Sequence, residues 1–442
     1  MEVLQINTVP ILDELDWDRF MEEFWDKSPV IIKGFSKQPV LTQEDLLKLV
    51  QLQGNRILDG KTAELTLYDK HRVSLSGTHA SRRYLTGIEP YLPDGQEKHL
   101  SDYLFGLTEH ERFNEFCLYS NAPHTYEHIW KAMRPVFKLI FEGTKISPAG
   151  MNTDLFIGNY QRTNFGAHRD QLSNFMFMLF GTRRMLLWSD HVWKNVLGNP
   201  DNNKLIVHDY EAFRSEALVA ELSPGDVLYW PMEYWHVGEN DGKLSGSINV
   251  DYVQPDKQTY LDSVLTQALS KVVRQESANH RTYYDLDYFV FEPDQQKQMD
   301  LPDNLEQRYN LLIENFDKES LYEFFLNSEW TRKMSAMGFN KGLKPRTSVL
   351  LSSSTNILSD ADFPVFFKRY NDKMILSHSG VSKVLDMDST LLSMVQYVNN
   401  GWEGSVLELH ERLSQNGSYE EETFYNHLAA LYEIHAIEII SA

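Results

Sequence analysis

From residue 150 to residue 255 the chain passes through a series of short apolar runs. Clusters of Gly, Pro, Asn and Asp separate these runs, and each run has about the length of a single strand. The runs are TDLFIGNY, SNFMFMLFG, RRMLLW, DVLYWP and GSINVDYV. Strands at such short spacing, with turn residues between them, predict an antiparallel sandwich or barrel.

Helical periodicity lies on both sides of this β-rich region. Residues 12–27 place Leu, Trp and Phe side chains near helical spacing. After Pro255, residues 261–273 carry one apolar stripe, which is typical of a buried helix face or a dimer interface. Further helices are predicted at about 303–316 and 319–336. The chain is therefore expected to combine a β-barrel with separate helical parts.

The end of the chain has a third pattern. VFFKRYNDKMILSH predicts a hairpin that turns at Asn371-Asp372, and three helical patterns follow it. These helices are predicted over 382–398, 405–415 and 421–434. Short strands with three helices indicate a winged-helix-like fold. Since this part lacks the basic face of a DNA-binding domain, we interpret it as a protein-contact module.

The composition excludes several classes of function. The chain has 42 Lys and Arg against 63 Asp and Glu, a net charge of −21. Such a charge repels nucleic acid and attracts basic peptides, although solubility alone also explains it. Cys117 is the only cysteine, so an intrachain disulfide and an all-thiolate zinc site are excluded. No signal peptide and no apolar stretch of about 18 residues is evident, so we expect a cytoplasmic protein without a membrane partner.

A pair of metal-binding side chains stands immediately before the most apolar run, in GAHRDQLSNFMFML. In an extended segment His168 and Asp170 point to the same face, and Arg169 points to the other. An HxD pair alone is commonly a surface or capping pair. Here PGDVLYWPMEYWHVGEN supplies a second imidazole, His236, after another predicted strand. Two His and one carboxylate form the facial triad of non-heme Fe(II) oxygenases, so we predict this metal site.

A cationic residue lies where an acidic co-substrate would need one. The strand SNFMFMLF is predicted to turn at Gly181-Thr182 and to return as RRMLLW. Arg183 would then begin the neighbouring strand, with a planar guanidinium that can bind a carboxylate through two hydrogen bonds. Arg184 would face the opposite way. The alternative is that both arginines are exposed charges on the barrel surface.

These residues carry a resemblance to a known family. GAHRDQLSNFMFMLFGTRRMLLW and LSPGDVLYWPMEYWHVGEN resemble the core of JmjC-type cupin oxygenases, and PVIIKGF resembles their N-terminal strand. The resemblance covers about residues 10 to 255. It implies an α+β fold built on a double-stranded β-helix, also called a cupin or jelly-roll barrel, with N-terminal helices.

The three-part layout of the chain is also similar to that of bacterial ribosomal oxygenases, which hydroxylate an arginine on a ribosomal protein. They also carry an arginine at the Arg183 position. Their layout implies a catalytic domain at 1–255, a helical dimerisation segment at 256–345 and a winged-helix-like domain at 346–442. The resemblance therefore also implies a homodimer.

The resemblance assigns roles to particular side chains. His168, Asp170 and His236 would hold Fe(II), with two open positions for 2-oxoglutarate and the third for dioxygen. Arg183 would bind the far carboxylate of 2-oxoglutarate, and Asn174 matches an asparagine of the asparaginyl-hydroxylase branch. A threonine is expected before the HxD pair, and Thr163 and Asn164 are both candidates for that position. Ser247 and Asn249 share one strand face and are similar to co-substrate-side positions in relatives.

The sequence thus predicts a dioxygenase that hydroxylates a C–H of a protein or peptide side chain and releases succinate and CO2. The substrate is expected to be basic, such as a ribosomal protein or the precursor of a peptide natural product. Two alternatives remain open at this point. One is a small-molecule hydroxylase, which would not need the long extension after the barrel, and the other is a catalytically silent cupin-fold scaffold.

Overall fold

The computed structural model describes residues 7–71, 73–76, 87–144, 150–163, 165–197, 206–253, 320–415 and 420–440. The predicted helices at 261–273 and 303–316 lie outside the described residues. No helix within these ranges is both long enough and apolar enough to cross a membrane.

Thirteen strands of the described residues form the barrel. They are β1 Asn7–Thr8, β2 Ile11–Leu12, β3 Val30–Ile32, β4 Leu65–Asp69, β5 Ser74–Ser76, β6 Phe116–Asn121, β7 Met151–Gly158, β8 Leu172–Phe180, β9 Arg183–Ser189, β10 Leu218–Leu222, β11 Val227–Trp230, β12 Tyr234–Glu239 and β13 Ser245–Val253. One sheet has the order β1-β10-β9-β12, and the other has the order β2-β3-β11-β8-β13-β7-β6-β4-β5. The five predicted strand runs are all confirmed.

The two sheets pack face to face. One apolar cluster contains Met176 and Leu228 from the nine-stranded sheet together with Leu187 and Leu222 from the four-stranded sheet. This is the sandwich of a cupin barrel, so the predicted fold class is confirmed.

The helices before the barrel core cover the outer face of the nine-stranded sheet. They are α1 Trp17–Glu23, α2 Gln43–Leu58, α3 Leu100–Glu109 and α4 Glu127–Thr144, and α5 Asp190–Leu197 follows β9. Phe20 and Trp25 pack on Phe175 and Tyr229, whose side chains point outward from the sheet. Strand β8 is apolar along most of its length because its outward side chains meet these helices while Met176 and Met178 point into the sandwich.

The connection between β8 and β9 differs from the predicted hairpin. The two strands lie in different sheets, since β8 pairs with β11 and β13 while β9 pairs with β10 and β12. Gly181 makes the crossing with a φ of +68°, and a Cβ there would lie 2.3 Å from the carbonyl oxygen of Leu244. Arg183 therefore enters the sandwich from the facing sheet. A short connection is compatible with either route, and the competing strand partners decide between them.

The C-terminal region contains two three-stranded sheets and four helices in the described residues. The elements are α6 Ser320–Ser335, β14 Asn356–Leu358, β15 Phe366–Tyr370, β16 Lys373–His378, β17 Val381–Asp386, α7 Ser389–Asn399, β18 Glu403–Ser405, α8 Val406–Ser414, α9 Glu421–Glu433 and β19 Glu438–Ile440. The hairpin at Asn371 is confirmed, with φ of +54° at this residue. The winged-helix assignment and the domain boundaries stay predictions.

The helix predicted over 382–398 is wrong in its first part. Residues Val381–Asp386 pair with β16 as strand β17, and α7 begins only at Ser389. Asp388 caps this helix by accepting a hydrogen bond from the backbone N–H of Leu391 at 2.7 Å. Pairing with a neighbouring strand thus overrides the local helical pattern.

Candidate active site

A cavity of about 250 Å³ lies between the two sheets and is lined by side chains from both. Of the predicted site residues, all except Ser247 line it. Ser247 does not line the cavity itself but contacts Arg183, since its hydroxyl accepts a hydrogen bond from the Arg183 guanidinium. The barrel therefore brings together side chains that lie far apart in the sequence.

The predicted metal triad is assembled at this cavity. His168 and His236 exchange two backbone hydrogen bonds, with N···O distances of 3.1 and 2.8 Å, so their rings stand 4.4 Å apart. Asp170 Oδ2 lies 3.7 Å from His168 Nε2 and 3.5 Å from His236 Nε2. One ligand atom from each residue lies within 4.8 Å of the others, which is close enough for one metal ion. Arg169 points away and donates to Asp190 Oδ1 at 2.7 Å, as the alternation predicts.

Local hydrogen bonds orient both imidazoles for metal binding. His168 Nδ1 lies 2.9 Å from the carbonyl oxygen of Gly166, and His236 Nδ1 lies 3.3 Å from that of Tyr234. Because a carbonyl oxygen only accepts, each Nδ1 carries the proton and each Nε2 keeps its lone pair. Desolvation lowers the pKa of His236 to about 4, and the proximity of His168 acts in the same direction. A neutral imidazole with a free Nε2 is the form that a divalent metal requires.

Among the described residues, Arg183 is a buried cation without an acidic partner. It is 4% exposed, and its guanidinium donates to the hydroxyls of Ser247 and Ser245 and lies over the ring of Tyr160. Its Nε has no hydrogen-bond partner, and the ion pairs among the described residues do not include it. Burying an uncompensated charge is costly, so this position suits a carboxylate supplied by a ligand.

Arg184 provides the contrast within the same strand. Its guanidinium is exposed and lies 2.6 Å from Glu221 on the outer surface. The prediction that the two arginines point in opposite directions is therefore confirmed. The alternative of two exposed arginines holds for Arg184 and is wrong for Arg183.

Further polar atoms without partners lie near Arg183. The hydroxyl of Thr163 and the amide oxygen of Asn249 are buried, and neither has a hydrogen-bond partner among the described residues. Gly238 also lines the cavity, and a Cβ there would lie 3.0 Å from Thr163 Cγ2. Asn164 lies outside the described residues, so the choice between Thr163 and Asn164 stays open. Unpartnered buried polar atoms beside a cation are expected of a site that takes a polar ligand.

The sequence reasoning missed two carboxyl groups in the cavity wall. Asp154 of β7 accepts hydrogen bonds from Tyr119 and Asn121 at 2.8 and 2.9 Å, and Asp251 of β13 accepts one from Asn174 at 2.6 Å. The two carboxyls also bond to each other, and burial raises the pKa of both. The proximity of Asp154 raises the pKa of Asp251 further, because two adjacent carboxylates repel each other.

A signal for this pair was present in the sequence. Each aspartate is the only charged residue in its strand sequence, in MNTDLFIG and in GSINVDYV. Asp251 also shares a strand face with Asn249, which was already a candidate site residue. A charged residue on the inward face of a barrel strand needs an explanation, and this criterion would have found both aspartates.

Comparisons with known proteins agree with this fold. A family model described as a cupin-like domain matches residues 18–258. The X-ray structure of Escherichia coli ycfD is similar, with a TM-score of 0.52 and 15% identity over 96% of this chain and 98% of that one. The E. coli ribosomal oxygenase YcfD in complex with cobalt and 2-oxoglutarate gives 0.51 and 14% over 97% and 99%. No curated protein matches the sequence. At these identities the structural likeness concerns the fold.

Proposed function

The chain belongs to the cupin-like domain family, and we propose that it is an Fe(II)- and 2-oxoglutarate-dependent oxygenase that hydroxylates a protein or peptide side chain. One observation carries the proposal: a buried arginine, with no acidic partner in the described part of the chain, shares a cavity with two histidines and a carboxylate that suit a metal. The metal site and the anion site are the two parts that this chemistry requires together.

The residues of the chain have separate roles. His168 and His236 bind Fe(II) through Nε2, and Asp170 binds it through a carboxylate oxygen. Arg183, supported by Ser247, binds the far carboxylate of 2-oxoglutarate, and Thr163, Asn174 and Asn249 are further candidate contacts. When bound, Fe(II) and 2-oxoglutarate supply the oxidising chemistry, in which dioxygen is consumed, succinate and CO2 are released and a C–H becomes C–OH.

The protein itself contributes the orientation of the reacting groups and the exclusion of water. Trp230 lines the cavity with its ring 4.9 Å from that of His236, and Phe165 lies 6.0 Å from the ring of His168. Met176 and Met185 add further apolar side chains to the wall. These side chains keep bulk water from the reacting positions, which protects the oxidising chemistry from side reactions.

Three observations support a protein or peptide substrate of basic character. The net charge of −21 attracts basic partners. The long extension after the barrel is more than a small-molecule hydroxylase needs. The likeness to a ribosomal oxygenase agrees with a ribosomal protein as the target, and a peptide natural-product precursor is the other candidate. Residues 256–345 are proposed to form a homodimer, and the C-terminal region is proposed to contact a protein partner.

A scaffold role for the barrel is less consistent with the site. A protein that only binds a partner does not need a buried unpaired arginine, whose burial costs stability. It also does not need two imidazoles whose Nε2 atoms have no hydrogen-bond partner in the part of the chain that the structure describes. Both features are present here, and each has a use only when a ligand binds: an anion at the arginine and a metal ion at the imidazoles.

A turnover assay tests the proposal. Purified protein is incubated with Fe(II), ascorbate and 2-oxoglutarate, and succinate is measured with and without cell extract. We expect succinate above the level of a His168→Ala control, with peptides in the extract gaining one oxygen by mass spectrometry. Equal succinate from the two proteins under all conditions would support the scaffold instead.

A further inference from the structure

A second cavity, of about 560 Å³, lies at the junction between the barrel and the C-terminal region. The end of α2, the start of α4 and the segments next to them form its barrel side. Residues 341–344 and His435 form its C-terminal side. Among the described residues, none lines both this junction cavity and the catalytic cavity. The junction cavity is therefore a separate candidate binding site.

Three cationic side chains line the junction cavity, and none of them forms an ion pair within the described residues. They are Arg56, Lys341 and Lys344. The guanidinium of Arg56 donates to the carbonyl oxygen of Thr62 at 3.2 and 2.9 Å. Burial lowers the pKa of Lys344, and the proximity of the Arg56 charge acts in the same direction. Cations from the two sides of the cavity thus lie close together, and an anion between them would relieve their repulsion.

The carboxylates of the cavity wall do not balance these cations. Glu127 belongs with Glu438 to a network in which Arg346 and Lys131 supply two matching positive charges. Glu64 is then the one lining carboxylate of the described residues that is left against three cations. The cavity has an excess of two positive charges, opposite in sign to the net charge of −21 of the whole chain. A local field of this sign attracts anions.

A buried ring nitrogen indicates a ligand independently of the charges. His435 lines the cavity and is 7% exposed, and burial lowers its pKa, so the ring is neutral. Its Nε2 lies 2.7 Å from the carbonyl oxygen of Lys344 and therefore carries the proton. Its Nδ1 is buried with a lone pair and has no hydrogen-bond partner among the described residues. A hydroxyl group of a ligand would donate to this atom.

The two observations together specify the chemistry of the ligand. A phosphate monoester carries a charge of about −2 at neutral pH and three strong acceptor oxygens, which suits three cations with an excess of two charges. A dicarboxylate such as succinate has a similar charge but divides it between two ends, and it has no hydroxyl for His435. The cavity volume lies in the range of sites for whole small molecules and exceeds what a phosphate ion alone would fill.

We propose that the junction cavity binds a hydroxyl-bearing phosphate monoester, a nucleotide or a sugar phosphate. Arg56, Lys341 and Lys344 bind the phosphate, and Nδ1 of His435 accepts a hydrogen bond from a hydroxyl of the ligand. Because Arg56 belongs to the barrel side and the other three residues to the C-terminal side, the ligand bridges the two regions. This site is independent of the metal and of turnover.

Calorimetric titration of the full-length protein tests the proposal. The probes are AMP and ribose 5-phosphate, and the comparison compounds are adenosine, succinate and inorganic phosphate. We expect at least one ester to bind about tenfold or more tightly than each comparison compound, because these lack either the phosphate or the hydroxyls. Tighter binding of AMP identifies a nucleotide site, and equal binding of the two esters identifies a sugar-phosphate site.

Three results of this titration would overturn the proposal. They are no detectable binding of either ester, equal affinity for succinate, and equal affinity for inorganic phosphate, which would indicate an adventitious anion only.

Variants locate the contact. Lys341 and Lys344 are exposed, so Lys341→Gln and Lys344→Gln should fold normally, and each should weaken the ester by about tenfold. Lys61→Gln is the matched control, because Lys61 lies outside the cavity wall and is already paired with Asp59 at 2.9 Å. The ester should also raise the melting temperature of the wild type and of Lys61→Gln more than that of the two cavity variants. Wild-type affinity in both cavity variants would contradict the proposal.

Discussion

Two pairs of histidines in this protein are held in opposite ways. His168 and His236 each donate from Nδ1 to a nearby carbonyl oxygen, and neither Nε2 has a hydrogen-bond partner in the described ranges. His124 uses both ring nitrogens, on the hydroxyl of Thr153 and the carbonyl of Lys341, and His378 also has partners at both nitrogens. Burial is common to His124, His236 and His378, so burial does not distinguish a ligand from a structural residue. The free ring nitrogen is what distinguishes a metal ligand from a structural histidine.

The second pair ties the C-terminal region to the barrel and to itself. His124 links β7 to the chain after α6, and His378 links β16 to the carbonyl of Phe363. Desolvation lowers the pKa of His124 to about 3 and that of His378 to about 4. Both rings are therefore neutral at physiological pH and serve as hydrogen-bonding links.

The largest expected effect comes from removing a free nitrogen. His168→Ala or His236→Ala should lower the affinity for Co(II) or Mn(II) by more than about a hundredfold, because loss of an outer-sphere partner alone costs 10- to 100-fold. His378→Gln should leave metal affinity unchanged. Titration calorimetry of the three purified variants measures this. Comparable losses in all three would break the distinction between the two pairs.

The next effect concerns the anion site. Arg183→Ala should weaken 2-oxoglutarate by about a hundredfold, since two charge-assisted hydrogen bonds are lost, while metal affinity stays within a few-fold. Arg184→Ala is the matched control on the same strand and should change neither. Calorimetry with the Mn(II)-loaded protein gives both affinities. If Arg183→Ala weakened metal and 2-oxoglutarate equally, the placement of the co-substrate would be wrong.

The structural pair should appear in the pH dependence of stability. The pKa of His378 is lower in the folded than in the unfolded chain, so the unfolded chain binds more protons below about pH 6.5 and stability falls with acidification. Between pH 7 and pH 5 this costs on the order of 2 kcal/mol of unfolding free energy. The proximity of His435 and of the Arg134 guanidinium also disfavours protonation of His378.

A substitution isolates this contribution. His378→Gln should reduce the loss of thermal stability between pH 7 and pH 5, whereas the exposed His71→Gln should leave that loss unchanged. The comparison uses the shift in melting temperature between the two pH values, so a constant destabilisation of the variant cancels. An unchanged shift in His378→Gln would show that its protonation is not linked to folding.

The smallest effect is steric. Gly238→Ala places a Cβ 3.0 Å from Thr163 Cγ2 and 3.3 Å from Met185 Sδ, inside the cavity wall. We expect a several-fold weaker affinity for 2-oxoglutarate with unchanged metal affinity. Gly106→Ala is the control, because nothing lies within 4 Å of a Cβ at that helical position. Equal affinities in the two variants would mean that 2-oxoglutarate does not reach Gly238.

Much of the site could be predicted because it depends on local alternation. His168 and Asp170 were expected on one face and Arg169 on the other, and the structure has them so. The opposite directions of Arg183 and Arg184 follow from the same period of two. Spacing along one extended segment determines these directions, whatever the rest of the chain does.

Other features depended on which strands become neighbours. The sequence did not show that β8 and β9 lie in facing sheets, nor that the helical pattern after Ser382 begins as strand β17. In both cases the local pattern was compatible with two structures. Long-range pairing selected one of them, since a strand gains its hydrogen bonds from partners that may lie far away in the sequence.

The sequence by itself determined the chemistry available to this protein: two imidazoles and a carboxylate at spacings that suit one metal, an arginine directed inward, and a strongly acidic charge balance. Only the tertiary structure decided that Asp154 and Asp251 share a hydrogen bond, because they meet through the register of β7 and β13. The direction of a side chain is a property of its own segment. The residues that a side chain contacts depend on how distant segments align.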